Sequence, residues 1–192
     1  IPIPDYLLCR RAWRYLMGMK ALFLVLTIAA LRVAPAVAGS PAALPKDPCA
    51  ILKISEIQAL APNAQISDGV SNTELVDLGS VACEYEWGAG NNVASGRFYL
   101  SISFSDGSRT FPGMSSELIK AGLLASVKAG DAHAAVIPGV GEAAIFMSDD
   151  PIRATTSAYV KGILLQVNFE CSDARAKKDQ VIALLKSAAA RL

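Results

Sequence analysis

The chain contains a single histidine, His133, so any mechanism that needs imidazole as a general base has to use it. It stands in Gly130-Asp131-Ala132-His133-Ala134, the composition of a helix-to-strand connection. An imidazole base needs a nucleophile within hydrogen-bond reach and an acid to orient the ring. Cys171 is the thiol that could complete a dyad with it, but it falls on the apolar face of a strand pattern. A buried thiol without a cationic neighbour stays protonated and inert. The Gly-x-Ser-x-Gly turn of serine hydrolases is absent. His133 is expected to be a surface or structural residue, and no catalytic set is assigned.

Two further groupings have the letters of a site. Gly139-Val140-Gly141-Glu142-Ala143-Ala144 matches a dinucleotide fingerprint, which works by opening a long helix whose amides hold the pyrophosphate. Asp149-Asp150-Pro151 follows within a few residues and leaves no room for that helix, so a tight hairpin is expected and no cofactor is called for. Asp149 and Asp150, with Asp131 or Glu142, could hold a hard cation, yet the spacing of a calcium loop is missing. Acidic turn residues before a proline are the ordinary reading, and no metal ligands are assigned. Tyr85, Trp87 and Tyr99 are the aromatic residues that could line an apolar pocket between sheet and helix, as in a ligand-binding module.

These side chains need a frame. In Val81-Ala82-Cys83-Glu84-Tyr85-Glu86-Trp87 the residues Val81, Cys83, Tyr85 and Trp87 share one face of a period-2 strand. Phe98, Leu100, Ile102 and Phe104 alternate with Tyr99, Ser101, Ser103 and Ser105 in a second strand, buried on one side and wet on the other. Four shorter strands are expected near 134–137, 143–148, 153–160 and 163–171, with Pro138-Gly139, Asp149-Asp150-Pro151 and Lys161-Gly162 as turns. The last hairpin puts Ile163, Leu165, Val167, Phe169 and Cys171 on one face.

Helices are expected at three places. Asp47-Pro48 opens a short turn carrying Cys49, Ile51 and Leu52, and Ser55-Glu56-Ile57-Gln58 reads as the cap of a helix that ends by Pro62. Ser115 or Ser116 caps a helix to about Lys128 with Leu118, Ile119, Leu123 and Val127 as its apolar stripe. Ser172 or Asp173 opens a last helix with Val181, Leu184, Leu185, Ala188 and Leu192 on one side. Residues 63–80 read as a surface loop with room for a short edge strand. The class is α+β: an antiparallel sheet of about six strands with N-terminal, central and C-terminal helices over one face, a single domain over residues 47–192.

The compartment follows from the start of the chain. Lys20, the apolar run Ala21 to Leu31 and the small residues Ala36-Val37-Ala38 have the layout of a secretory signal peptide over residues 19–38, cleaved between Ala38 and Gly39. Residues 1–18 read as an upstream extension or n-region, with a start at Met17 or Met19, and residues 39–46 as a flexible leader. A membrane anchor is the competing reading, but a run ended by Arg32 and Pro35 falls short of the roughly twenty residues that cross a bilayer. A periplasmic or secreted protein is expected, with no stable membrane span after cleavage. The whole chain carries a net charge of +1, and beyond Ala38 its 16 acidic residues outnumber 13 basic ones. A nucleic-acid partner would need a basic patch, and none is visible. Three cysteines remain in a disulfide-permitting compartment. Cys83 is expected to pair with Cys49, pinning the first helix to the sheet, and whether Cys171 is free is left open.

The run Asp47-Pro48-Cys49-Ala50-Ile51-Leu52, the capped helix after it, Cys83-Glu84-Tyr85, Ile137-Pro138-Gly139-Val140-Gly141-Glu142-Ala143 before a strand, the aromatic-ending hairpin and the C-terminal helix resemble a group of small bacterial envelope proteins of unknown function. Many of those are lipoproteins, similar in fold to PsbP-like α+β domains. The resemblance covers about residues 47–192 and implies a Cys49–Cys83 pair and no established catalytic residues. The chain departs from it in having no lipid-attachment cysteine directly after the apolar run. Taken together, these readings favour an exported, non-enzymatic module that binds a small ligand or an envelope protein. A hydrolase or thiol enzyme built on His133 and a structural envelope protein are the alternatives.

Overall fold

Alternation fixes the sheet. Val81, Cys83, Tyr85 and Trp87 of β2 (Ser80–Trp87) are buried while their neighbours are not, and a one-residue slip of register would turn all four outward. In β3 (Phe98–Asp106) Leu100 and Ile102 stand opposite Tyr85 and Cys83, and on the other side opposite Phe169 and Val167 of β7 (Ile163–Glu170). The computed structural model describes residues 42 to 192 apart from 91, 92, 94, 95 and 129. The expected upstream extension, the signal peptide and its cleavage point at Ala38 and Gly39 lie outside the described residues, as does the start of the leader.

With β1 (Val70–Asn72), β4 (Ala134–Val136), β5 (Ala143–Met147) and β6 (Arg153–Val160), the strands form one antiparallel sheet in the order β1-β2-β3-β7-β6-β5-β4. The count is seven rather than six. The added edge strand β1 has three exposed side chains and is held through its backbone on β2, so it leaves no hydrophobic period to read. Among the described residues there are four α-helices: α1 (Ile54–Ile57), α2 (Gly107–Thr110), α3 (Ser116–Ala125) and α4 (Lys178–Ala189). The unexpected one is α2, a single turn started by Asp106, whose carboxylate accepts from the Ser108 amide at 2.9 Å and hydroxyl at 2.7 Å. The cap of α1 is Lys53 rather than Ser55, because the Glu56 carboxylate reaches back to the Lys53 amide at 2.8 Å. The helix stops early, where the Gln58 side-chain amide donates to the carbonyls of Ala61 and Ala64.

Helices lie on both faces of the sheet, not one. Val181, Leu184, Leu185 and Ala188 of α4 join Leu52, Ile57 and Leu60 over the face carried by Cys83, Ile102 and Val167, and this is the main core. Helix α3 rests on the opposite face, where Ile119, Ile145 and Tyr159 are buried outside that core and the Ser116 and Tyr159 hydroxyls meet at 3.1 Å. The reason sits in β5: Ile145 and Phe146 point to opposite faces and both are buried, which needs cover on each side.

The N-terminal segment is tied down by covalent and ionic links. Cys49 and Cys83 form a disulfide, and the Tyr85 hydroxyl donates to the Cys49 carbonyl at 3.2 Å. Gly69 crosses the bridge so closely that a Cβ there would lie 2.4 Å from the Cys83 sulfur, which excludes any side chain. Arg191, just after α4, grips the Glu56 carboxylate with two bonds of 2.7 and 2.8 Å and also donates to the Ile51 carbonyl. That grip holds the Glu56 carboxyl at about 2, well below its ordinary range.

Two outcomes are expected. Replacing both bridge cysteines with Ala should lower the unfolding free energy by about 2–4 kcal/mol in urea titrations, the usual effect of losing a bridge of this span. Because the folded-state pKa of Glu56 is depressed, its contribution is complete above the unfolded value near 4.5 and fades as the pH falls towards 2. Glu56→Gln should therefore lower Tm by roughly 2–6 °C at pH 7, and calorimetry near pH 2 should find the two proteins alike.

Candidate functional site

Helix α3 is well made and poorly covered. Ser115 caps it, accepting from the Leu118 amide at 3.3 Å, and Glu117 sits in the first turn, where a negative charge suits the helix dipole. Its expected apolar stripe is present, yet Ile119 is the one residue of the helix that is buried. Leu118 is 56% exposed and Met114, just before the helix, 50%. Between this stripe and the sheet runs an open cleft of about 450 Å³. Phe111, Met114, Leu118, Ile119 and Leu123 line it from the helix side, and Leu164 of β7 forms the sheet wall. Ser126 is the polar residue at its lining, and Gly122 lies in the middle of the helix face with open space where a Cβ would go. The volume falls within the roughly 300–1,000 Å³ of small-molecule sites.

The charged residues of α3 pair with one another and with Glu142. Lys120 reaches Glu142 at 3.2 Å and Glu117 at 3.5 Å, and the bond to Glu142 is the main reason the Lys120 ammonium is held above its ordinary value. Glu142 also accepts from the Lys161 amide, tying α3 to the β6–β7 hairpin.

The residues expected to line a pocket do not come together. Tyr85 and Trp87 are buried in the main core, where the Trp87 ring stacks on Phe98 at 5.6 Å and on Phe169 at 6.2 Å. Tyr99 stands opposite Glu86 and so points to the other face of the sheet. The cleft residues Phe111, Met114 and Leu164 were not anticipated as a site. Leu164 falls on the wet face of its hairpin by alternation, and only the stripe of Leu118, Ile119 and Leu123 on α3 signalled an apolar surface nearby.

The other sequence candidates are placed by local contacts. His133 is exposed; its amide donates to the Asp131 carboxylate at 2.8 Å and its carbonyl accepts from the Ser148 amide. Cys171 is a free thiol, fully buried, donating to the Asp173 carboxylate at 3.2 Å. Burial pushes its pKa up to about 11, so no thiolate is available near neutral pH. Gly139 and Gly141 both take positive φ in the turn before β5, and a Cβ on Gly141 would lie 2.4 Å from the Tyr159 carbonyl, which accounts for the glycines without a nucleotide. Asp150 accepts from the Ile152 amide within its turn. Among the described residues no three of His, Cys, Asp and Glu are grouped so as to hold a metal ion, and no helix is long and apolar enough to cross a membrane.

No family model, curated protein or solved structure matches the chain.

Gly122 and Cys171 offer direct checks. Gly122→Ala should raise stability by about 0.5–1 kcal/mol, the helix-propensity difference, because the added methyl meets no neighbour. The Cys171 thiol should remain unlabelled by an aromatic disulfide reagent at pH 8 and react fully once the protein is unfolded in guanidinium.

Proposed function

We propose that the protein is an exported, non-enzymatic binding module that takes a small, largely apolar ligand into the cleft between α3 and Leu164. The observation that carries this reading is an amphipathic helix whose apolar stripe is left open over a cavity of ligand size. A helix of this kind gains most of its stability by burying its stripe against the fold. Here a ligand would complete that burial, at about 25 cal/mol per Å² of apolar surface covered.

Several features support the remainder of the reading. The disulfide suits an oxidising compartment, in line with the expected signal peptide and the resemblance to small envelope proteins. Cys171 is buried and bonded to Asp173 rather than to His133, which favours holding a ligand over transforming it.

Titration with the fluorescent apolar probe N-phenyl-1-naphthylamine tests the proposal. One saturable site is expected, and Gly122→Trp, which puts an indole at the open lining of the cleft, should weaken it at least tenfold while the unfolding midpoint does not fall. His133→Ala should leave capture unchanged. Undiminished binding in Gly122→Trp, or no saturable binding at all, would reject the cleft as the seat.

A further inference from the structure

Leu164, the sheet wall of the cleft, belongs to a face that continues along the strands as rows of polar side chains, half-buried on β3 and β7 and fully buried at Ser157. The strand pairing places Ser103, Gln166 and Ser157 side by side in the first row beyond it, and Ser101, Asn168 and Thr155 in the second. Two residues along a strand span about 7 Å, so the first row begins within a few bond lengths of the cleft and the second roughly 13 Å from Leu164. The first row has no ionisable group, and in the second the first charge met is Glu84, out on β2. The ion pair of Arg153 and Glu170 lies one row further still.

These rows have hydrogen-bonding capacity to spare. The Gln166 amide nitrogen donates to the Ser157 hydroxyl at 3.2 Å, which leaves its carbonyl oxygen without a partner among the described residues. Asn168 accepts from the Thr155 hydroxyl at 2.9 Å and makes only a long contact of 3.5 Å to Ser101. All four side chains of the central strands, Ser101, Ser103, Gln166 and Asn168, are half-buried, so bonds formed there are partly shielded from water.

Resting on the cleft as a ligand seat, we infer that the ligand is a single-chain amphiphile with an uncharged hydroxyl- or amide-bearing head. Its chain fills the apolar cleft, and its head lies on the sheet over Gln166, Ser103 and Asn168. A charged head would be desolvated over the first row with no counter-charge to meet it. The occupant is a free molecule rather than a bilayer surface, because a membrane-seated helix carries an excess of basic residues on its flanks, and the one lysine within α3, Lys120, is already matched by Glu117 and Glu142.

Calorimetric titration with four eight-carbon probes below their aggregation concentrations tests the inference: monooctanoylglycerol, octanoate, octylammonium and 1-octanol. Monooctanoylglycerol should bind at least fivefold tighter than each of the others. In the double variant Gln166→Ala, Asn168→Ala its advantage over 1-octanol should shrink to within twofold, while 1-octanol itself binds as before. Equal affinities for all four, a tighter charged probe, or an advantage that survives the double variant would overturn the head-group assignment and leave the cleft reading intact. Failure of every probe to bind would overturn both. Binding only to vesicles of neutral lipid, and not to the free probes, would overturn the free-amphiphile assignment in favour of a membrane surface.

Discussion

The link between Cys49 and Cys83 joins the part of the chain with the least structure of its own to the strand with the most to bury. A four-residue helix and a 3-10 turn cannot persist in water by themselves, yet Leu52, Ile57 and Leu60 are needed to close the core above β2 and β3. The bridge removes much of the entropy cost of bringing them there. Everything nearby is shaped around it: Gly69 gives way to the sulfur, Tyr85 bonds the Cys49 carbonyl, and Arg191 holds the other end of the segment through Glu56. With that face closed, the sheet is a rigid plate on which the second face can be left partly open.

The second face is organised by contrast. At one end α3 covers β5 and Tyr159, held by the Ser115 cap, the buried Ile119, the Ser116 hydroxyl and the Lys120 ion pairs. At the other lie polar rows, half-buried on β3 and β7. The cleft falls at the seam, where Leu164, the one apolar residue that β7 carries on this face, meets the helix stripe. Leu118 and Leu124 of α3 and Met114 just before it are left exposed there.

Much of the fold was legible because period-2 patterns are unambiguous when one face is buried. β2, β3 and β7 could be read residue by residue, and the disulfide followed from a cysteine standing in the core-facing set. What escaped had physical reasons. β1 is held mainly by backbone bonds and its three side chains are exposed, so they leave no period to read. The cap of α1 moved two residues because a carboxylate at Glu56 outweighed a hydroxyl at Ser55. An apolar stripe on α3 says that a surface is greasy but not whether protein covers it, and so the site was sought among Tyr85, Trp87 and Tyr99, which alternation divides between the two faces. Leu164 was hidden in the same way, since a lone leucine on a wet face looks like any exposed apolar residue.

The burial of Cys171 bears on how such a chain matures. In an oxidising compartment Cys171, Cys49 and Cys83 would have three ways to form a single bridge among themselves, and the fold holds Cys49 and Cys83 paired. Thiol exchange needs an accessible thiolate, and Cys171 loses both its access and its ionisation once the end of β7 and the turn to Asp173 are seated. The order of events therefore matters. If the last hairpin docks before oxidation, the third thiol is withdrawn from the exchange and the correct bridge closes unopposed. If oxidation comes first, the chain depends on reshuffling to escape a mispaired state.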